Sequence, residues 1–449
     1  MTILNESGVP DVLSPLHAAR ELSTLLPGAL VIVAGTRTEA YLTQTLPEAL
    51  PNALGPKTAA RGSWLRFIVL DADEPPEQGQ VASRVIEACA GVPKTRMALL
   101  VAGRAAELMG VDAGFEARLA ARRLEIPVKV VDPDTAPNSR ACLSTDLEDR
   151  ALAALVELCR EATSDLVAAN PPSPKRGGLL GGFLGRNRDE DHEARQHPVV
   201  LLGSSPDAAE NLLSELERAG VAVAGSVPNG VPVGVPAVED LPAIGEGTVV
   251  APLDPHLATA CRTAEGRGAK VVRTLAPIGV DGTARFIQDV SAAVGTPTSE
   301  TGRAREVWES LDPLRNRVRG KRIFFAGDTG LELPLARFLA DAGAVVLEVG
   351  APRLDRRALA PELHSLGSDV DVVVSPDWEG QIRRIDAARP DVVICGPGLY
   401  VPLVARGHLC RTTLELRGAG VHGYAGARRV LELLARTFER AEVLDALDL

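Results

Sequence analysis

Two histidines stand where a strand ends, a common position for side chains that do chemistry in α/β proteins. His256 follows Asp254-Pro255 after an apolar run, and His422 lies in Val421-His422-Gly423-Tyr424, also near a strand end. An imidazole can move a proton near neutral pH or ligate a metal ion. Either chemistry needs several such side chains to converge. The sequence therefore makes both histidines candidates for a ligand pocket, with a structural or surface role as the alternative.

The six cysteines form no pair with the spacing of a metal or redox motif. Most lie in apolar or helical runs, where a reduced cysteine acts as a small hydrophobic residue; they are Cys89, Cys142, Cys159, Cys261, Cys395 and Cys410. A zinc site or a disulfide framework would need closer, regular spacing. Cys142 follows Ser139-Arg140-Ala141 on the strand-end side of the first predicted domain, so it joins His256 and His422 as a candidate pocket residue. No metal site is predicted.

Two glycine turns follow apolar runs and have the form of an anion-binding turn. They are Gly203-Ser204-Ser205 and Gly327-Asp328-Thr329-Gly330. Backbone N–H groups at a helix start attract anions, but neither turn has the P-loop or dinucleotide-binding pattern, and Asp328 would repel an anion. Helix capping by Asp207 or Asp328 is the favoured interpretation. No nucleotide site is predicted.

Short β-branched runs alternate with Ala/Leu/Arg-rich helical stretches, which is typical of βαβ units and parallel sheets. The predicted strands are Leu30–Val33, Phe67–Leu70, Ala98–Val101, Val128–Val131, Val199–Leu202, Val221–Ala224, Val249–Ala251, Lys270–Val272, Arg322–Phe325, Val345–Val349, Val370–Val374 and Val392–Ile394. The predicted helices include Gln80–Ala90, Phe115–Arg123, Leu152–Leu158, Ala208–Ala219, Arg303–Leu311, Glu332–Ala342 and Ala427–Glu439. Three successive doubly wound, Rossmann-like α/β domains are the simplest account, with sites at the carboxyl ends of strands.

A stretch rich in proline, glycine and charge divides the chain. We predict a first Rossmann-like domain at residues 1–169, a linker at 170–197, a second domain at 198–300, and a third domain with a C-terminal helix at 301–449. Such composition favours a flexible linker or surface loop. The apolar island Leu179–Leu184 leaves a docking peptide open as the alternative.

Length and charge restrict the class of protein. A chain of 449 residues is too long to fold around a single hydrophobic core, so several domains are expected. The net charge of −11 argues against non-specific binding to nucleic acid or an anionic membrane. No apolar run approaches the ~20 residues that span a bilayer. We therefore expect a cytoplasmic protein with no membrane span and no nucleic-acid partner.

Four stretches together resemble one family, subunit N of light-independent (dark-operative) protochlorophyllide reductase. They are Pro277–Thr283, Trp308–Leu311, Gly327–Leu339 and Val421–Tyr424. The resemblance implies a nitrogenase-like subunit of three Rossmann-like domains in a heterotetramer with a B-like subunit. It also implies a separate ATP-dependent iron–sulfur protein as electron donor, and a [4Fe-4S] cluster between the two subunits that passes electrons to a tetrapyrrole ring.

The resemblance further implies three cluster cysteines in this subunit, and their positions fall at Ser14, Glu39 and Arg104. Serine and glutamate offer hard oxygen donors, whereas iron–sulfur clusters prefer thiolates, and arginine is a permanent cation. We therefore expect that this chain alone holds no cluster, and that any [4Fe-4S] cluster is supplied largely by a partner. Arg104 is expected to occupy the vacated volume and to pair with Glu39.

Two functions stay open at this point. The chain is either a subunit of a tetrapyrrole-reducing oxidoreductase complex, or a non-catalytic pseudo-subunit. The pseudo-subunit would scaffold or regulate a partner, or bind a tetrapyrrole or another polar ligand without reducing it. The expected partners are a B-like subunit, a second copy of the chain, or both, in a dimer or a heterotetramer.

Overall fold

A computed structural model describes residues 2–6, 8, 19, 23, 28–41, 64–92, 94–131, 144–162, 197–203, 206–228, 240–327, 330–352, 354–357, 359–367 and 370–446. These residues form three larger parallel sheets flanked by helices, together with one parallel pair of two-residue strands. Apolar runs such as Ala29–Gly35, Val199–Leu202 and Val392–Cys395 make strands that are buried along their whole length, as is usual for the central strands of parallel sheets. The predicted α/β class is confirmed, and every predicted strand and helix overlaps an observed one.

After strand β1 (Thr2–Asn5), which joins the third sheet described below, the chain forms a four-stranded sheet of order β3-β2-β4-β5. Its strands are β2 (Ala29–Gly35), β3 (Leu65–Val69), β4 (Met97–Ala102) and β5 (Val128–Val131). Its helices are α1 (Gln80–Ala90), α2 (Arg104–Leu108), α3 (Ala113–Leu124) and α4 (Ser144–Leu158).

The second sheet has the order β11-β10-β7-β8, and a separate two-residue pair, β6 with β9, lies beside it. The strands are β6 (Glu161–Ala162), β7 (Val199–Leu202), β8 (Val223–Val227), β9 (Ile244–Gly245), β10 (Val249–Pro252) and β11 (Lys270–Val271). The helices are α5 (Pro206–Arg218), α6 (Ala258–Gly266), α7 (Val280–Ala293) and α8 (Thr301–Val318).

The third sheet has six strands in the order β1-β14-β13-β12-β15-β16. The strands are β12 (Arg322–Ala326), β13 (Val345–Ala351), β14 (Asp371–Val374), β15 (Val392–Cys395) and β16 (Cys410–Thr412). The helices are α9 (Glu332–Asp341), α10 (Ala360–Ser365), α11 (Trp378–Ala388), α12 (Pro397–Ala405), α13 (Thr413–Ala419) and α14 (Gly423–Ala446).

The N-terminal strand does not lie with the first sheet. Thr2 pairs with Asp371 and Asn5 with Val374, so β1 is an edge strand of the third sheet. The predicted domain boundaries assigned residues 1–169 to the first domain; at β1 the observed pairing differs from that assignment. The linker at 170–197, except its last residue, and the island Leu179–Leu184 lie outside the described residues and stay predictions.

The four family-like stretches pack against one another between the second and third sheets. Trp308 donates its Nε1–H to the Asp281 carboxylate at 3.3 Å, and the Trp308 and Phe338 rings lie 6.1 Å apart. Gly423 N donates to Pro277 O at 2.7 Å, next to a bridge between Ile278 and His422. These stretches therefore serve as a structural joint.

Candidate functional site

The first candidate site is the carboxyl edge of the first sheet, where the neighbouring strands β2 and β4 end. A helical turn at residues 37–41 follows β2, and α2 follows β4. The Glu39 carboxylate accepts hydrogen bonds from Thr36 N at 2.6 Å and Thr36 Oγ1 at 3.0 Å, and Glu39 N donates to Thr36 Oγ1 at 3.3 Å. This reciprocal pattern is a capping box at the start of the turn.

Two glycines make room for the Glu39 carboxylate. A Cβ atom added at Gly35 would lie 2.5 Å from Glu39 Oε2, and one added at Gly103 would lie 3.1 Å from Oε1. Gly103 N also donates to Ala34 O at 3.0 Å, which joins the two strand ends. The carboxylate therefore lies between the ends of β2 and β4.

The described residues at this edge do not fit a thiolate-held cluster, because Glu39 offers only carboxylate oxygens, which already accept two hydrogen bonds. Cys89 lies buried in α1, where burial raises the pKa of its thiol to about 11, and burial raises that of Cys159 to about 12. Ser14 and Cys142 lie outside the described residues. Arg104 begins α2, but its side chain is also outside the description, so its pairing with Glu39 stays a prediction.

The second candidate site is a buried group of five side chains, called here the junction cluster: Glu148, Asp254, His256, Arg417 and His422. Asp254 and His256 lie in the loop between β10 and α6, Glu148 in α4, Arg417 in α13, and His422 just before α14. The cluster therefore joins helices and loops from all three sheet regions at the carboxyl end of β10.

Hydrogen bonds connect the members in two groups. The Glu148 Oε2 atom lies 3.1 Å from His256 Nε2 and accepts from Arg417 Nη2 at 2.8 Å. The Asp254 Oδ1 atom lies 2.8 Å from His422 Nε2. An ionised carboxylate only accepts hydrogen bonds, so the Nε2 atom of each ring must carry the proton. Each ring is therefore either the neutral Nε2–H tautomer or the charged imidazolium.

Opposite charges dominate the electrostatics of the cluster. Burial would raise the pKa of the Asp254 carboxyl, but the charge of His422 and the hydrogen bond from it hold that pKa below its usual range. Burial would lower the pKa of His256, but the hydrogen bond to Glu148 and the charge of Glu148 hold it above its usual range. Buried charges of this kind persist only when they are paired, so the cluster stabilises the joint between elements.

The structure thus brings His256 and His422, both candidates from the sequence, into one cluster. His256 follows a strand as predicted, but His422 lies between α13 and α14 and not at a strand end. Glu148 and Arg417 were not nominated, since Glu148 lies 108 residues from His256 and 269 from Arg417. One local feature of the sequence could have identified Glu148: the acidic pair Glu148-Asp149 lies on an otherwise apolar helix face. Buried acidic residues of this kind indicate a polar partner in the fold.

The model of the family named nitrogenase component 1 type oxidoreductase matches residues 82–439. The chain belongs to this family. Light-independent protochlorophyllide reductase subunit N of Roseiflexus sp. (strain RS-1) is 34% identical over 449 residues, covering 99% of this chain and 96% of the relative. The subunit of the same name from Heliobacterium modesticaldum (strain ATCC 51547 / Ice1) is 30% identical, covering 98% and 97%.

Solved structures agree on the fold. A nitrogenase structure, "Nitrogenase Cp1 at pH 6.5", superposes with a TM-score of 0.68 at 14% identity, over 98% of this chain and 93% of that one. The resemblance to subunit N that the four stretches indicated is confirmed, and so is the nitrogenase-like α/β fold.

Within the described residues, no helix is both long and apolar enough to cross a membrane.

Proposed function

We propose that the chain is the N-type subunit of a nitrogenase-like reductase complex that reduces a tetrapyrrole ring of the protochlorophyllide type, in chlorophyll biosynthesis. The observation that carries this proposal is similarity to reductase subunits N over 99% of the chain. Members of this family work as subunits of larger assemblies. The partners proposed are a B-like subunit and an ATP-dependent iron–sulfur protein that delivers electrons.

Within that complex, we infer that this chain holds no [4Fe-4S] cluster with its own side chains. The support is the capping role of Glu39, whose carboxylate fixes the turn after β2, together with the oxygen or cationic groups at Ser14 and Arg104. The ligands of any cluster would come largely from the partner.

The experiment that tests the function is reconstitution. The chain, a B-like partner and the ATP-dependent iron–sulfur protein are combined anaerobically, and protochlorophyllide reduction is followed by absorbance. Reduction that requires ATP and disappears when this chain is omitted supports the proposal. Equal reduction without this chain would overturn it.

A cysteine-restoration variant tests the cluster inference separately. The variant Ser14→Cys/Glu39→Cys/Arg104→Cys should gain iron and acid-labile sulfide over the parent chain, since three thiolates return to the positions that the family resemblance assigns. The control is Glu107→Cys, at an exposed position of α2. Stoichiometric iron on the unaltered isolated chain would contradict the inference.

The second candidate function is a non-catalytic pseudo-subunit. It is favoured by the same observation, that the position of an expected cluster ligand serves a helix cap. Such a chain would co-purify with its B-like partner and change the partner's stability or its tetrapyrrole affinity, while reduction would not depend on it. Tight porphyrin binding without reduction would favour this second function.

A further inference from the structure

Three members of the junction cluster have the side-chain types and the proximity of a metal site. One ligand atom each from Glu148, Asp254 and His256 lies within 4.8 Å of the others. The two carboxylates are buried and the imidazole is nearly so, with side-chain exposures of 5% for Glu148, 3% for Asp254 and 10% for His256. Surface acidic groups often approach one another without an ion, but buried ones rarely do.

The spacing fits a small tetrahedral ion after a modest contraction. Zinc binds nitrogen at about 2.0–2.1 Å and carboxylate oxygen at about 2.0–2.2 Å, so two of its ligand atoms lie roughly 3.3 Å apart. The distance from His256 Nε2 to Glu148 Oε2 is 3.1 Å, close to one edge of such a tetrahedron. The third ligand atom, on Asp254, lies within 4.8 Å of the other two and would have to move toward them.

The charges of the cluster are also compatible with a bound cation. Arg417 offsets the charge of one carboxylate through its contact with Glu148. The two imidazoles balance the remaining charge when they are protonated, so a metal ion would take the place of protons rather than of an uncompensated charge. A divalent ion that displaces the proton between His256 and Glu148 would be held by both carboxylates at once.

The same cluster also contains buried imidazole nitrogens without a partner in the described part of the chain. The Nδ1 atoms of His256 and of His422 are buried and have no hydrogen-bond partner among the described residues. A buried polar atom without a partner costs about 1–3 kcal/mol. The ion would bind the His256 nitrogen that faces Glu148, and a water or His422 would supply the fourth ligand.

We propose that Glu148, Asp254 and His256 bind one divalent transition-metal ion, with Zn²⁺ the best fit. One nitrogen and two oxygen donors, with the fourth position closed by His422 or a water, suit Zn²⁺, whereas thiolate donors would suit an iron–sulfur cluster. The ion ties α4 to the loop after β10, and through Arg417 and His422 to the third sheet region. Its role is structural, and it goes beyond the proposed reductase function.

The test uses the full chain, stripped with a chelator and titrated with Zn²⁺. Bound metal is measured by mass spectrometry after gel filtration, together with the thermal unfolding midpoint. We expect one Zn²⁺ per chain and a higher midpoint with metal. His256→Gln and Asp254→Asn should each weaken binding by roughly a hundredfold, since even supporting residues of metal sites change affinity 10–100-fold.

The matched control is His364→Gln, because His364 is an exposed histidine of α10. Cobalt replaces zinc in a parallel titration, and its visible absorbance reports coordination independently of stability. Stoichiometric manganese or iron in place of zinc, lost in His256→Gln and free of acid-labile sulfide, supports the site with another ion. Equal metal binding by the stripped parent chain and His256→Gln, or none by either, overturns the proposal.

Discussion

At the scale of single residues, the joint between the second and third sheets depends on one buried guanidinium. Arg337 is 2% exposed, and it donates from Nε to Glu362 Oε2 at 2.6 Å and from Nη2 to Ile278 O at 2.9 Å. Glu362 in turn accepts from Ala276 N at 3.0 Å. A buried ion pair of this kind tolerates little displacement, since a broken one leaves an uncompensated charge.

Gly282 leaves the space that this guanidinium occupies. A Cβ atom at Gly282 would clash with Arg337 Nη2 and lie 2.7 Å from Ala276 O. We expect Gly282→Ala to lower the free energy of unfolding by about 2 kcal/mol or more, because overpacking outweighs the helix propensity gained. The control Gly302→Ala, in α8, has nothing within 4 Å of its added methyl group and should be neutral or stabilising. Urea unfolding measures both, and equal effects would contradict the argument.

Asp341 gives a pH-dependent prediction at the same joint. Burial raises the pKa of its carboxyl to about 6, although Arg337 opposes the shift. Because the pKa rises on folding, the stability from this group is present below about 3.9 and is lost as pH rises through about 6. Asp341→Asn should therefore be more stable than the parent at pH 8, by roughly 1–2 kcal/mol after screening, and nearly equal at pH 4.

The measurement for Asp341 is urea unfolding of parent and variant at both pH values. Asp312→Asn, at an exposed position of α8, is the control and should show no such divergence. A constant difference between Asp341→Asn and the parent across the pH range would count against the shifted pKa.

At the scale of elements, two helices are capped by carboxylates from neighbouring helices. Neither Gly79 before α1 nor Leu257 before α6 supplies a capping side chain. Glu116 of α3 accepts from Gly79 N and Ala82 N, each at 2.6 Å. Asp149 of α4 accepts from the first N–H groups of α6. These buried acceptors fix where a helix begins and also which helix it packs against.

Asp149 offers the sharper test of this cross-capping. It accepts from Thr259 N at 2.9 Å and from Ala260 N at 2.8 Å. Asp149→Ala should cost about 1–2 kcal/mol of stability, as the loss of a strong N-cap does. Asp312→Ala removes an exposed carboxylate and should cost much less. Hydrogen exchange should show faster exchange at the start of α6 in the Asp149 variant alone; unchanged exchange there would argue against the cap.

The elements also show what the sequence could predict. Buried β-branched runs such as Leu30–Val33 and Val392–Ile394 were predictable, because parallel strands leave a continuous apolar signal. Strand β1 was missed, since three of its four residues are exposed and it pairs with a strand far along the chain. At the site, strand-end position correctly marked His256, whereas His422 lies between two helices, and Glu148 and Arg417 were set by tertiary packing that no local pattern records.

At the scale of the whole molecule, the N-terminal strand β1 forms one edge of the third sheet. Glu6 accepts from Arg384 Nη1 at 2.7 Å and from Asp377 N at 2.7 Å, just beyond β1. Arg384 also contacts Glu348 on β13 at 2.7 Å. The first residues of the chain therefore help to order the carboxyl edge of a sheet built from its last third.

Removal of residues 2–8 should destabilise the third sheet selectively. Strand β14 would become an exposed edge, and exposed edges lose protection and promote association. Hydrogen exchange should accelerate in β14 and β13 while β2 and β4 keep their protection. Glu6→Gln, which keeps the strand but removes the charge, is the control and should show a smaller effect; equal acceleration in all three sheets would contradict the assignment of β1.

Strand β1 also has a consequence for how the protein is made. Glu6 and Asp377 are 371 residues apart, yet their groups are hydrogen-bonded in the finished fold. At about 5–20 residues per second, a ribosome takes roughly 20–70 s to deliver the partner of a strand that emerged first. During that interval β1 is an unpaired strand beside two sheet regions that can already form. The third sheet therefore cannot be completed until nearly the whole polypeptide has been synthesised.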